Sequence, residues 1–161
     1  MNETHDDEHD PDVLVDAVLT ASRVLVAIAA RSLADAGEAV TLTQYRALVV
    51  LASRGPQSLA ALAEALTVTP PTASRMCERL VRKHLVSRRV DRNDRRQVRI
   101  ALSEAGRRLI DAVTANRRQE IATLLSSIPS PDRPALVAAL HHLAASAGEV
   151  PEQDWSSGWD L

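Results

Sequence analysis

Residues 67–106 read TVTPPTASRMCERLVRKHLVSRRVDRNDRRQVRIALSEAG, and this stretch decides the fold. Thr69 is a residue type favoured at helix N-caps, and Pro70 follows at the first helical position, where its missing N–H costs nothing. Apolar side chains then recur at helical spacing, which predicts a helix that ends at about Lys83. The side chains expected to face inward are those of Ala73, Met76, Leu80 and His84.

After this helix the apolar period changes to two. Val86 and Val90 lie on one side of a polar, basic segment, and Val98 to Leu102 alternates in the same way on the other side. Alternation flanking a polar segment is typical of two paired strands with a long loop between them. The sequence therefore predicts a β-hairpin whose tip is residues 91–96.

A short helix is predicted immediately before this stretch. Ser58 is expected to cap a helix from Leu59 to Ala65, and only residues 66–68 separate that helix from Thr69. Two helices joined by so short a turn form a helix-turn-helix, whose second helix presents its amino-terminal side chains to the major groove of DNA. The side chains available there are the hydroxyls of Thr69, Thr72 and Ser74, followed by Arg75 and Arg79.

The distribution of charge favours a polyanionic partner. The whole chain has a formal net charge of −2, but residues 70–100 hold ten basic and three acidic residues, a local charge of +7. A polyanion responds to the local patch rather than to the total. All but one of the basic residues in the chain are Arg, which suits planar contacts to phosphate and guanine.

At this point the stretch from Leu42 to Gly106 resembles the MarR family of winged helix-turn-helix transcription regulators. Residues 67–88 resemble the family's recognition helix and first wing strand, and residues 91–106 resemble its wing signature. One departure is His84, which stands where the family usually has Gly after the recognition helix. The signature positions are filled by Asp94, Arg96, Leu102, Ser103 and Gly106.

The resemblance implies roles for individual residues. Arg79 would contact the DNA backbone, the arginine-rich tip with Arg95 and Arg96 would reach the minor groove, and Asp94 would hold the wing by pairing with an arginine. Arg88 would lie at the wing base, near the place where some members hold small acidic ligands. The residues implied to face the major groove or its flanking phosphates are Thr69, Pro71, Thr72, Ser74 and Arg75.

The expected fold is mainly α-helical with a small β-hairpin wing, as one winged-helix domain at residues 11–147. Acidic tails at 1–10 and 148–161 would flank it, and the DNA-binding lobe would span about 41–102. Thr43 and Ser103 are expected to cap the second and fifth helices, the fifth running to about residue 127 and the last helix covering about 132–147.

Helices at about 11–36 and 103–147 are expected to dimerise the protein. Apolar side chains form a stripe along the predicted helix from Leu14 to Ile28 and another from Leu136 to Leu143. Burying both stripes takes more apolar surface than a small, aromatic-poor protomer provides. A second copy would provide it, as the first and last two helices do in the MarR family. A two-fold dimer implies a pseudo-palindromic operator with half-sites about 10–10.5 bp apart.

Several protein classes are not expected. No apolar run approaches the roughly 20 residues that span a bilayer, and the acidic amino terminus does not resemble a signal peptide, so a cytoplasmic protein is expected. The single cysteine excludes an internal disulfide or a multi-cysteine metal site. Neither a catalytic constellation nor a cofactor motif is evident, so the chain is not expected to be an enzyme. The main alternative is a winged-helix module that binds protein instead of DNA.

Some residues allow two interpretations. Cys77 is expected to be a buried structural thiol rather than a redox sensor, and Tyr45 could pack in the core or contact an acidic or phenolic effector. His141 and His142 are expected near a packing seam, and His5 and His9 are not expected to form a functional metal site. Trp155 and Trp159 are expected to lie in a flexible acidic tail rather than to dock.

Overall fold

A computed structural model describes residues 11–37, 40–90 and 97–155 of the chain. It confirms a mainly α-helical fold with a small antiparallel β-sheet. In chain order the elements are α1 (Pro11–Asp35), α2 (Leu42–Arg54), β1 (Gln57–Ser58), α3 (Leu59–Ala65), α4 (Pro70–Arg82), β2 (Val86–Val90), β3 (Val98–Leu102), α5 (Glu104–Leu125) and α6 (Arg133–Ser146), with 3-10 turns at Ser130–Asp132 and Glu152–Asp154.

The caps of the helices show how the chain enters them. Ser58 accepts a hydrogen bond from the Ala61 amide and caps α3 as predicted. The prediction for α2 is wrong, because Thr41 and not Thr43 is its N-cap. Thr41 and Gln44 form a capping box in which each side chain accepts from the other residue's amide, at 3.2 and 3.1 Å.

The sheet has three strands in the order β1-β3-β2. Strands β2 and β3 form the predicted hairpin, with Val86 opposite Leu102 and Val90 opposite Val98. Strand β1 was not predicted from the sequence. Its two residues pair antiparallel with β3, so that Gln57 lies opposite Ile100. This short strand attaches the base of the wing to the segment that precedes α3.

The core lies where α2, α3, α4 and the base of the wing meet the first half of α5. The apolar face of α2 is buried, and Leu48 and Leu51 are fully enclosed. Leu62 from α3, Leu80 from α4 and Val113 from α5 complete the centre of this cluster. The helix-turn-helix is therefore fixed to a packed body rather than attached by a loop.

Helices α1 and α6 contribute little to this core. In α1 only Ile28, Ser32 and Leu33 are buried, and Leu14 at its other end is 67% exposed. None of the residues of α6 is buried, so His141 and His142 are exposed in the protomer and do not lie on a seam within it. Apart from Ile28, the residues of the predicted apolar stripes thus lie mostly on the protomer surface.

The length and composition of α1 require a correction. An 18-residue window of this helix has a mean hydropathy of 2.0, enough by length and composition alone to cross a membrane. The expectation that no segment approaches such a length was wrong, because Asp16 and Arg23 interrupt the apolar residues without lowering their mean much. The core helix of a soluble protein and a signal sequence pass the same test.

Residues 149–155 are not the flexible tail that was expected. They turn back onto α2 and α5, where Glu149 pairs with Arg46 and Glu152 with Arg118. Trp155 packs partly buried against the core, and its indole N–H donates to the Val150 carbonyl at 2.9 Å. The other tail tryptophan, Trp159, lies outside the described residues, as do His5 and His9.

Candidate nucleic-acid interface

The turn between α3 and α4 is closed by backbone hydrogen bonds. The Thr67 amide donates to the Glu64 carbonyl and the Val68 amide to the Ala63 carbonyl, both at 3.0 Å. Thr67 takes a left-handed φ of 53°, which bends the chain sharply without a glycine. These contacts fix the angle at which α4 leaves α3.

Helix α4 separates its apolar and polar side chains onto opposite faces. Ala73, Met76, Cys77 and Leu80 are buried against the body, which confirms three of the predicted inward positions and adds Cys77. The side chains of Thr72, Arg75, Arg79 and Arg82 all lie away from that buried face, and Arg75 and Arg79 are exposed. One helix face therefore holds α4 in place and leaves the other free for a partner.

The amino end of α4 differs in detail from its prediction. Thr69 is the N-cap residue, but its hydroxyl makes no capping hydrogen bond. It lies instead 2.9 Å from the Thr72 hydroxyl, which in turn accepts from Arg75 at 3.5 Å. Pro71 is exposed beside them. The first-turn amides thus lack a capping side chain at a positive helix end, where an anion is favoured.

Ser74 is the least available of the predicted contact residues. Its side chain is partly buried, and its hydroxyl donates to the Glu78 carboxylate at 3.3 Å. Glu78 is exposed on the same surface and is the only acidic residue of α4. A base or phosphate approaching Ser74 therefore competes with this carboxylate.

His84 was expected to face inward, but it is exposed. It takes the left-handed conformation that the family usually gives to Gly, with a φ of 57°. The Leu85 amide reaches back to the Leu80 carbonyl at 3.0 Å and ends the helix in the ordinary way. The departure from Gly therefore leaves the path from α4 into the wing intact.

The stem of the wing holds further positive charge. Arg88 and Arg89 are exposed on β2, and Arg89 lies directly opposite Arg99 of β3. Arg99 also donates to the Pro56 carbonyl at 3.5 Å. Two like charges facing each other across a ladder cost stability, so this arrangement is typical of a surface that meets an anion. The predicted tip residues Asp94, Arg95 and Arg96 lie outside the described residues.

Cys77 lies on the inner face of α4 and is fully buried. Burial raises the pKa of its thiol, an effect that the nearby positive charge of Arg88 opposes and does not cancel. A thiol with a raised pKa and no access to solvent is a poor nucleophile. These features favour the structural interpretation of Cys77.

A cavity of about 670 Å³ lies behind the candidate interface, between α2 and α5. Tyr45 is one of its lining residues although it is 6% exposed, so it serves both the core and the cavity wall. Burial raises the pKa of the Tyr45 phenol against the lowering effects of a hydrogen bond to Thr114 and the charge of Arg117. Arg88, the other predicted pocket residue, is not part of the lining.

None of the charged residues that line this cavity was predicted from the sequence. Arg46 comes from α2 and Arg117 and Arg118 come from α5, whereas Glu149 and Glu152 come from the C-terminal segment. The helical spacing of Thr114, Arg117 and Ile121 could have indicated a shared face on α5. Nothing local in the sequence indicates that residues 149–155 return to it.

Metal ligation is not supported by the geometry. Within residues 11–37, 40–90 and 97–155, no three His, Cys, Asp or Glu side chains come together in a way that could hold an ion.

Comparison with known proteins identifies a family. The sequence profile of the MarR family matches residues 40–98. The HTH-type transcriptional repressor NicR of Pseudomonas putida is 33% identical over 66% of this chain and 68% of its own length. An HTH-type regulator of Mycobacterium bovis, Mb0904, is 32% identical over 70% of this chain and 78% of its own length.

Solved structures share the same architecture. RV1404 from Mycobacterium tuberculosis is 42% identical with a TM-score of 0.81, covering 87% of this chain and 95% of that one. A mutant of MepR from S. aureus, solved bound to an oligodeoxyribonucleotide, is 25% identical with a TM-score of 0.60, covering 83% of this chain and 97% of that one.

Proposed function

Because this chain belongs to the MarR family of helix-turn-helix transcription regulators, we propose that it is a ligand-responsive repressor that binds a pseudo-palindromic operator as a homodimer. The family membership makes it a DNA-binding regulator. Repression, the two-fold operator and the response to a small molecule are the proposal. NicR, named as a repressor, supports the first of these.

The observation that carries the proposal is the outward face of α4. Arg75 and Arg79 project from a helix whose opposite face is locked into the core, and Arg88 and Arg89 continue the positive surface along the wing stem. Side chains near the amino end of such a helix can contact base edges in the major groove. A basic wing suits the negative potential of a narrow minor groove. In this proposal Thr69, Pro71, Thr72, Ser74, Arg75 and Arg79 contact the major groove or its phosphates, and Arg95 and Arg96 contact DNA from the wing.

The homodimer follows from the apolar surface that the protomer leaves uncovered. Large aliphatic side chains are exposed along α1, at the end of α5 and along α6. A contiguous apolar surface of this kind marks an association site, and two-fold self-association is the commonest arrangement. The exposed side chains are Val13, Leu14, Val15, Val18, Leu19, Val24, Leu25, Val26, Leu124, Leu125, Val137, Leu140 and Leu143.

An effector would act through the cavity between α2 and α5. In the dimer α2 belongs to the DNA-binding lobe and α5 to the dimerisation lobe, so a ligand between them can favour one spacing of the two α4 helices. The arginines of the cavity suit a phenolic or other acidic molecule. The protein would act in the cytoplasm, with no catalytic role and no cofactor.

Duplex binding at several salt concentrations tests the proposal. The logarithm of the association constant should fall linearly with that of the salt concentration, by about 0.9 per neutralised phosphate. Arg96→Ala should weaken binding to a selected duplex about ten-fold, on the order of one good base or groove contact. Arg133→Ala on α6 is the matched control and should leave binding unchanged. Equal affinity and sequence preference for Arg96→Ala and the parent protein would refute the wing assignment.

A further inference from the structure

The segment Glu149–Trp155, here called the C-terminal strap, connects the two lobes of the protomer. Glu149 receives two hydrogen bonds from the Arg46 guanidinium of α2, one of them 3.0 Å long, and this pairing lowers the pKa of its carboxyl. Glu152 pairs with Arg118 of α5 at 3.3 Å. The strap is thus attached by one carboxylate to each lobe.

The strap also forms one wall of the cavity described above. Glu149, Glu152 and Trp155 line it on one side, opposite residues of α2 and α5. Trp155 packs against the core, so the strap contributes an aromatic ring as well as two carboxylates. An aromatic acid has the same two kinds of group, an aromatic ring and a carboxylate, so the strap resembles such a ligand chemically.

The rest of the lining suits the same chemistry. Val49, Ile121 and Leu125 provide an apolar surface for a ring. Arg117 adds a third guanidinium, and its Nε is buried without a hydrogen-bond partner. The positive charge of Arg117 favours an anion in the cavity, while the two other arginines of the lining are paired with the strap.

We propose that the C-terminal strap is an internal competitor for an aromatic carboxylate, which takes Arg46 and Arg118 from Glu149 and Glu152 and releases the strap. The inference rests on the proposed function, because it assigns regulation to the proposed effector cavity. Release breaks the ion pair that joins the strap to α2. The ligand therefore cannot occupy the cavity while the strap connects the two lobes. Removing the strap carboxylates must then raise the affinity for the ligand.

The test uses Trp155 as a reporter in the full-length protein. The chain has two tryptophans, so Trp159→Phe leaves Trp155 as the single emitter. Benzoate is the probe, and benzamide is its uncharged match. In this background Glu149→Gln with Glu152→Gln removes, at constant volume, the two strap charges that pair with Arg46 and Arg118. Glu104→Gln, which removes the partner of Arg108 elsewhere on α5, is the control.

Benzoate, and not benzamide, should shift the Trp155 emission of the parent protein to longer wavelength in a saturable way. The double variant should start at the longer wavelength and bind benzoate about four-fold more tightly, since two partly exposed ion pairs are each worth roughly a factor of two. The Glu104→Gln protein should behave as the parent does.

Two results would overturn the strap proposal. One is unchanged Trp155 emission with benzoate in both proteins, and the other is equal benzoate affinity for the parent and the double variant. Duplex binding is measured separately on the same proteins. Loss of the strap effect with intact duplex binding refutes only the strap, whereas absence of duplex binding by the parent refutes the regulator.

Discussion

The Ser103 hydroxyl donates to the His84 carbonyl at 2.6 Å and accepts from the Gly106 amide at 3.0 Å. His84 is the residue at which the chain leaves α4, and Gly106 lies in the first turn of α5. The Ser103 amide also donates to the Leu85 carbonyl at 3.1 Å. One serine therefore joins the end of the proposed recognition helix to the start of the helix proposed to dimerise.

Replacing Ser103 by Ala should reduce the free energy of unfolding by about 1–2 kcal/mol, the usual cost of losing an N-cap and leaving its partners unsatisfied. Urea unfolding of both proteins measures the loss. Ser127→Ala is the control, because the Ser127 hydroxyl makes one exposed hydrogen bond to the Leu124 carbonyl beyond the end of α5. An equal loss in the two variants would argue against the joining role.

Gly106 is required by close approach of two backbone segments. A Cβ built there would lie 2.2 Å from the Leu85 carbonyl oxygen and 2.7 Å from a Leu102 methyl. Gly106→Ala should therefore cost about 3 kcal/mol, as severe overpacking does. At Gly37 the φ is +74° with nothing near the added atom, so Gly37→Ala should cost only about 1 kcal/mol of strain. A smaller loss for Gly106→Ala than for Gly37→Ala in thermal unfolding would contradict this.

Local patterns predicted most of the fold and only part of the sites. The apolar residues change from helical spacing to alternation after Lys83. This change was sufficient to predict α4 and the hairpin, because each kind of element has its own spacing of apolar residues. Thr41 was missed as a cap, although Thr41 with Gln44 three residues later is a capping-box pattern. Strand β1 has only two residues and no pattern to detect.

The cavity was beyond local reasoning for a different reason. Arg46 and Glu149 lie 103 residues apart, and each alone is an ordinary surface charge. A charge run such as 148–161 usually indicates solvation, and only the tertiary fold makes part of it a strap. The outward placement of Arg75 and Arg79 was predictable, because helical spacing alone sets them away from the centre of the apolar stripe of α4.

Arg75 and Arg79 should differ in how they affect DNA binding. Arg75→Ala removes a side chain near the amino end of α4, so it should weaken binding to a selected duplex by about 1–3 kcal/mol and relax its sequence preference. Arg79→Ala should weaken binding to all duplexes alike and reduce the salt dependence by about one phosphate. Titrations of selected and unselected duplexes distinguish the two, and identical behaviour of both variants would refute the assignment.

Acidification should release the C-terminal strap. The Arg46 guanidinium lowers the pKa of Glu149 below its ordinary value of about 4.3. The ion pair therefore stabilises the strap above that value, and its contribution is lost as the pH falls through the lowered pKa. In the Trp159→Phe background, Trp155 emission should shift over this acid range while far-ultraviolet dichroism still reports helix. The same titration curve in Glu149→Gln would show that Glu149 is not responsible.

The proposed dimer would use the apolar face of α1. Leu25 is 41% exposed within the protomer, and Leu25→Glu would place a charge in the proposed interface. Sedimentation should show a dimer for the parent protein and mainly monomer for this variant at micromolar concentration. Val90→Glu is the matched control, since Val90 is 59% exposed on the wing and should not affect assembly. A dimer that survives Leu25→Glu would place the interface elsewhere.

Selection of bound duplexes from a random pool tests the central claim most directly. A dimer that reads DNA with α4 and the wing should enrich an inverted repeat whose half-site centres lie about one helical turn, 10–10.5 bp, apart. Recovery of that repeat is the predicted result. A pool with no enriched sequence, or with an enriched motif that lacks two-fold symmetry, would contradict it.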